Sequence, residues 1–478
     1  MGLSRRKFLG HAGCAAMANT TVLSSLLNLK ALGAAAMSDS DVLAGDDYKA
    51  LICISLSGGN DAYNMLLPTS QREFQDYSRV RGNVGISLQN INHLNPLNTP
   101  GRTFGVNGSM PLIRNLFNEG KAAFFANIGT LIEPMTVDDF WLESKRVPLG
   151  LLSHSDQLQQ WMTAVPHERA AVGWGGRISD MVNQMNNAEG LSMNISFGGS
   201  NVFQTGVENI AYAMDPNPLN ETPLKEIRDY NDDWLYNSIR KKAVDNLLER
   251  TYSDIYENTY INTARSARDG WLRYRDALNS VNLNTSFDYA NMYSDNSRLA
   301  NSLGWVAKMI GARESLGFRR QTFFIDFGGW DHHDGLEDQP RMLAELDFSV
   351  NQFQEAMKEL GTEDCVVTFL VSDFARTLRS NGNGTDHAWG SNMMAIGGPV
   401  KGQRIYGHYP ETLDPGQNVS DLGGGIILPS TSADVYFAEL AHWFGVSKSN
   451  LEDIFPNLIN FYDYRTAEGN PLDFLTIS

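Results

Sequence analysis

The chain has 478 residues, 42% of them hydrophobic and 19% charged, and its 55 acidic against 38 basic residues give a formal net charge of −17. So acidic a surface repels nucleic acid and anionic lipid, and no basic block offsets it, which argues against both classes of partner. The length exceeds that of most single domains and suits a large α/β enzyme with insertions.

The first residues read as an address. Ser4-Arg5-Arg6-Lys7-Phe8-Leu9 is a twin-arginine motif, a moderately apolar stretch follows, and Ala34-Ala35-Ala36 offers a cleavage site. Residues 1–36 are therefore expected to be a signal peptide that engages the twin-arginine translocase, with residues 37–478 released to the periplasm or beyond. The stretch is interrupted by His11, Asn19, Asn28 and Lys30, and no later segment reaches the roughly 18 unbroken apolar residues of a spanning helix, so no stable membrane anchor is expected. Removing Arg5, Arg6, Lys7 and Lys30 with no acid takes the net charge to −21. Twin-arginine substrates cross the membrane folded, often because a metal or cofactor is loaded first, which fits a buried metal site.

Apolar runs at 50–56, 122–127, 193–197, 322–327, 366–371 and 392–396 predict strands buried on both faces. Helical patterns lie between them, for example at 156–162 and 344–360. The alternation predicts an α/β fold. Residues 71–108, rich in Asn, Gly and Arg, read as a long irregular surface loop. From about 224 to 311 the pattern becomes polar and helix-periodic without strand signals, and predicts a helical insertion of two or three long helices that either serves as scaffold or shapes the substrate site. The tail predicts a helix over 432–444, capped near Gly445. Cys53 and Cys365 read as buried free thiols, with a disulfide between them left open in an oxidising compartment.

Four clusters carry the chemistry. Asp61 follows the first strand behind Gly58-Gly59-Asn60, where two glycines let the chain turn sharply and bring a carboxylate over the sheet edge; a lone Asp here equally suits a cap or an Asx-turn. Asp331-His332-His333 follows a Gly-Gly-Trp turn, and Asp331 and His333 can share one cation. Asp373 ends a strand and Arg376 lies three residues on, a pair that alone would read as a structural salt bridge. Asp386-His387 supplies a second Asp-His pair behind a Gly-Asn-Gly turn. Four of the nine histidines fall in these clusters. Together they offer carboxylates and imidazoles for two cations. Ser153, in LLSHSDQLQQWM, is the candidate nucleophile at a helix N-terminus, where an anionic substrate meets a favourable field, although Ser153 or Ser155 equally suits an N-cap. His154 is a candidate substrate contact or proton donor.

With its twin-arginine leader, SLSGGNDAYNMLLP, LLSHSDQLQQW, GGWDHHDG, SDFARTLRSNGNGTDHAWG, GGPVKGQRIYGHYP and ADVYFAELAHWFGV, the chain resembles the bacterial exported family catalogued as domain of unknown function 1501. That family looks like a branch of the alkaline phosphatase and sulfatase superfamily. The resemblance implies a three-layer α/β sandwich around a mostly parallel sheet, with one catalytic domain over 37–478. It implies a first cation site of Asp331, His333 and His387, suited to zinc. It implies a second site of Asp61 and Asp373, with Phe374 where an imidazole would stand, suited to magnesium, manganese or calcium, with Asp386 or His332 as substitutes. The activity implied is hydrolysis of an anionic phosphate or sulfate ester, with Ser153 attacking and Arg376 or His154 steadying the anion. The alternative is a catalytically silent envelope protein that keeps the metal or only the fold and binds glycan, polymer or protein.

Overall fold

The computed structural model describes residues 47–188, 190–217, 219, 235–290 and 296–477. The expected leader at 1–36, and residues 224–234 and 291–295 of the expected helical insertion, lie outside the described residues.

A nine-stranded mixed sheet forms the middle layer. Reading across it, the order is Arg404–Gly407, Ala122–Gly129, Ser391–Ile396, Val366–Ser372, Lys49–Leu56, Arg320–Asp326, Asn194–Ser196 and Tyr212–Ala213, with Thr431–Ser432 also pairing with Ala122–Gly129. Every pairing is parallel except the two made by Ser391–Ile396, which runs antiparallel to both neighbours. The all-parallel centre explains its sequence: Lys49–Leu56 and Val366–Ser372 are buried along their whole length, so each reads as an unbroken apolar run rather than an alternating one. The six predicted strands are all present, each within two residues of its expected ends.

Helices cover the sheet in two groups. Pro111–Asn118, Arg298–Gly311 and Gln339–Glu359 pack together, and the buried Asp347 carboxylate accepts from Leu112 and Ile113 backbone N–H at 3.1 and 2.7 Å, satisfying the open end of the first of these helices. His154–Thr163, Trp174–Val182 and Ala433–Phe444 form the other group, where Trp161 and Trp174 pack on Phe437, and Trp174 also on Phe369 of the sheet. The tail helix has its Ser432 cap and ends at Gly445 as expected. Leu235–Glu249 and Ile255–Ser280 are helical, as their periodicity indicates. Cys53 and Cys365 are both free, so the disulfide left open in the sequence does not form. No helix among the described residues is long and apolar enough to cross a membrane.

The expectation of an irregular loop over residues 71–108 is corrected. Gln71–Arg81 is a helix whose buried residues, Tyr77 and Arg81, are four apart, and Ile91–His93 and Phe104–Asn107 join Leu66–Pro68 in a small antiparallel sheet. Strands of three and four residues are too short to show a period of two.

Candidate functional site

The strands Val366–Ser372, Lys49–Leu56 and Arg320–Asp326 are adjacent and parallel, so the segments leaving their carboxyl ends share one edge. Those segments carry Asp373, the Gly58-Gly59 turn and Asp331-His332-His333. Ala122–Gly129 also points this way, because it is separated from Val366–Ser372 by the one reversed strand. Downstream of it comes the helix His154–Thr163, which opens with His154. A hairpin of Arg376–Ser380 with Thr385–His387 returns His387 to the same edge, with Arg376 and His387 directly opposite in the register. This is the place where open α/β sheets hold their ligands.

Four side chains converge there. Asp331 Oδ1 lies 3.3 Å from His333 Nε2, 3.5 Å from His154 Nε2 and 3.7 Å from His387 Nε2, and the Nε2 atoms of His333 and His387 are 2.8 Å apart. His154, Asp331 and His387 each present a ligand atom within 4.8 Å of the others. The remaining nitrogen of each ring faces an acceptor: His154 Nδ1 donates to Asp373 Oδ2 at 2.7 Å, His333 Nδ1 to Asp386 Oδ1 at 3.0 Å, and His387 Nδ1 to the Leu152 carbonyl at 2.8 Å. With the ring protons so assigned, three Nε2 lone pairs surround one carboxylate oxygen, and His333 faces Asp331 and His387 but stands outside the mutual spacing of His154, Asp331 and His387. That set repels itself unless a proton or a cation stands between its members. Ligand atoms about 2.0–2.2 Å from a common tetrahedral centre are roughly 3.4 Å apart, close to the spacings of Asp331 from the three rings. His154, Asp331 and His387 therefore fit a divalent cation, with His333 beside two of them. Each imidazole is oriented from behind by a carboxylate or a carbonyl, as at histidine-rich metal centres.

The electrostatics follow from position. Burial opposes ionisation of Asp331, but the Arg376 guanidinium, with His154 and His333 adding to its effect, holds this carboxyl below the usual range. Burial pushes Asp373 up despite hydrogen bonds from His154 and Gly58, whose backbone N–H donates at 3.1 Å. Asp386 is lowered, first by the Asn381 amide at 2.9 Å and then by His333. Burial lowers His387 and so favours its neutral form.

Local geometry is specific to these roles. Gly58 has φ +113, and a Cβ there would stand 2.6 Å from the Asp331 backbone nitrogen; Gly59 has φ +84, and its Cβ would stand 2.5 Å from the Phe374 ring. Only glycine allows this approach. Leu152 adopts φ +69, unusual for a branched residue, and thereby turns its carbonyl to His387 while its N–H donates to Gln157 Oε1 at 2.6 Å.

The sequence-derived site residues divide accordingly. Asp331, His333 and His387 lie within 3.7 Å of one another at this edge. His154, expected as a substrate contact or proton donor, sits among the cation-facing groups. Asp373 and Asp386 stand behind imidazoles rather than in front. Asp61 is corrected: its carboxylate pairs with Arg81, both side chains fully buried, and Gln339 holds its carbonyl at 2.8 Å. Arg81 lies in the helix that the sequence left as loop, so this partner was not in view. Arg376 is also corrected: it is 0% exposed and its guanidinium is occupied by backbone carbonyls and Asp331, leaving no face for a substrate. Ser153 occupies the N-cap position of the His154 helix, with its hydroxyl 3.3 Å from Ser155 Oγ. His332 is buried, its Nδ1 without a hydrogen-bond partner and its carbonyl accepting from Thr385 N–H at 3.0 Å.

Several solved structures are similar in part. The lipoteichoic acid synthase LtaP from Listeria monocytogenes is 9% identical over 69% of this chain, with a TM-score of 0.25, and the match spans 57% of that protein's length. The sulfatase PsFucS1 from Pseudoalteromonas sp. is 11% identical over 87% of this chain and 71% of its own, with a TM-score of 0.34. Ps i-CgsB, solved with a neocarrahexaose, is 12% identical over 89% and 79%, with a TM-score of 0.29. No curated protein matches the chain. The family model for a protein of unknown function, DUF1501, matches residues 48–455, from the start of the first strand to the helices after the tail helix, and the chain belongs to that family.

Proposed function

We propose that the protein is an exported hydrolase of phosphate or sulfate esters that works with one bound divalent cation. The observation that supports this reading is the convergence of His154, His333 and His387 on Asp331 at the carboxyl edge of the sheet. Three imidazoles and one carboxylate favour zinc or another first-row transition metal over calcium or magnesium, which take oxygen ligands. The proposal keeps to one cation: Arg81 takes one oxygen of Asp61 and His154 one oxygen of Asp373, while the other oxygen of each is buried without a hydrogen-bond partner.

A cation held there would supply Lewis acidity toward an ester oxygen. The chain's own residues do the rest. Asp373, Asp386 and the Leu152 carbonyl fix the ring orientations and keep the ring protons on Nδ1. Ser153, next to His154 and at the N-terminus of a ten-residue helix, is the proposed nucleophile. In this reading residues 37–478 act as one catalytic domain, reached by way of the twin-arginine translocase and working in the periplasm or outside the cell on an anionic ester.

The test is purified, zinc-loaded protein assayed on aryl phosphate, phosphodiester and aryl sulfate. Turnover of at least one, lost on chelation and in Asp331→Ala, is expected. No turnover with metal demonstrably bound, or turnover unchanged in Asp331→Ala, would refute it. One observation favours a second reading, a silent cation-binding envelope protein: the Ser153 hydroxyl lies 3.3 Å from Ser155 Oγ and also hydrogen-bonds the Asp156 carboxylate. Retained activity in Ser153→Ala would separate nucleophile from cap.

A further inference from the structure

We infer that Arg376 is the positioning residue of the centre: one guanidinium ties three chain segments together and aims Asp331 at the imidazoles. The inference rests on reading the four converging side chains as a cation site. Arg376 Nε donates to the Gly59 carbonyl at 2.8 Å and Nη1 to the Thr385 carbonyl at 3.1 Å. Nη2 donates to the Gly58 carbonyl and to Asp331 Oδ1, with the Trp330 carbonyl 3.4 Å away. The bonded segments are the turn after the first strand, the loop carrying Asp331 and His333, and the hairpin carrying His387. The turn is remote from the other two in sequence, and the guanidinium lies at the junction of all three.

The residue type matters. A planar fork of five N–H donors serves several fixed acceptors at once, whereas an ammonium group is a compact point charge. The fork reaches the turn because Gly59 has no side chain; a Cβ there would stand 3.2 Å from Arg376 Nε. The guanidinium carbon lies 5.6 Å from the centre of the Phe374 ring, and that ring in turn packs 4.4 Å from His387 and 4.6 Å from His154. Arg376 is also the cross-strand partner of His387, so a shift of its backbone shifts a ligand. Charge adds a second role. Asp331 is half exposed, yet the oxygen that faces the rings is the one bonded to Arg376, which fixes its rotamer and keeps it an acceptor.

The test compares Arg376→Lys with Arg320→Lys in chelator-stripped full-length protein titrated with Co²⁺. Arg320 is an equally buried arginine bonded to backbone carbonyls on another part of the fold, including that of Phe444 at 2.7 Å. Arg376→Lys is expected to bind Co²⁺ about 10–100-fold more weakly than wild type and with an altered visible spectrum. Arg320→Lys should keep the wild-type affinity and spectrum whatever its thermal midpoint. A wild-type affinity and spectrum in Arg376→Lys, or equal losses in the two variants, would overturn the inference.

Should Arg376→Lys not fold, hydrogen exchange on the wild-type protein decides. Co²⁺ should protect amides near Gly58-Gly59 together with those of 330–333 and 385–387. Protection confined to the ligand-bearing segments would overturn the inference. A wild-type protein that takes up no Co²⁺ would refute the cation reading itself, a separate result.

Discussion

Asp61 and Asp331 each accept from an arginine, but only one of them faces the imidazoles. The Asp61–Arg81 pair is sealed from solvent, and breaking such a pair from one side costs about 3–5 kcal/mol because it strands the other charge. Arg81→Met is therefore expected to lower the free energy of urea unfolding by that order, with part of the loss recovered by adding Asp61→Asn. Asp61→Asn alone should leave zinc affinity, measured by chelator competition, at the wild-type value. A collapse of affinity would restore Asp61 as a ligand. Asp386→Asn makes the opposite demand. It weakens the acceptor behind His333, and a reduction of about 10–100-fold in zinc affinity with little change in unfolding is expected from the loss of an orienting partner.

These contrasts show what the sequence could carry. Asp331, His333 and His387 were legible because imidazoles and a carboxylate beside glycine turns at strand ends make poor core filler. Which carboxylates stand in front of a ring and which behind was not legible. Asp386 and His387 are neighbours, and the strand geometry that sends one to the centre and the other to His333 is set by pairing with Arg376. The burial of Arg376 was hidden for the same reason, since most of its acceptors are backbone atoms, which leave no mark on residue identity. His154, expected as a substrate contact or proton donor, could have been read as a cation-facing group: a histidine opening a helix that follows a strand with the same polarity as its central neighbours is well placed to reach the edge.

Among the elements, the tail helix Ala433–Phe444 carries a cost that can be measured. Asp434 lies in its first turn, 2% exposed, and burial raises its carboxyl to about 8 against the opposing pull of Arg177. An acid whose pKa is higher folded than unfolded binds its proton more tightly in the native state. Stability from this group is thus fully present below the unfolded pKa near 4, and is lost as pH rises toward 8. Asp434→Asn removes that dependence. Its thermal midpoint should gain on the wild type as pH goes from 5 to 8, and parallel curves would refute the assignment. The small sheet and the Gln71–Arg81 helix are the elements the sequence concealed, yet they hold the Asp61 partner, so a misread loop led directly to a misread ligand.

For the molecule as a whole, the cation would act as a late clasp on a finished sheet. Its four ligand residues span positions 154 to 387, and none of the segments that carry them can bind alone. A metal that binds only the folded chain stabilises it by mass action, by about 2.7 kcal/mol at a free concentration 100 times Kd. Zinc should raise the thermal midpoint of stripped protein, and the increment should vanish in Asp331→Ala. An equal increment in that variant would place the zinc elsewhere.

The strand order has one more consequence. The first strand to be synthesised, Lys49–Leu56, finds its sheet neighbours only at Arg320–Asp326 and Val366–Ser372, so the middle of the sheet stays open until most of the polypeptide has left the ribosome. Nascent chains stalled before Arg320 would expose both apolar edges of this strand to chaperones. Premature termination in this gene should yield aggregation-prone fragments rather than a smaller working protein.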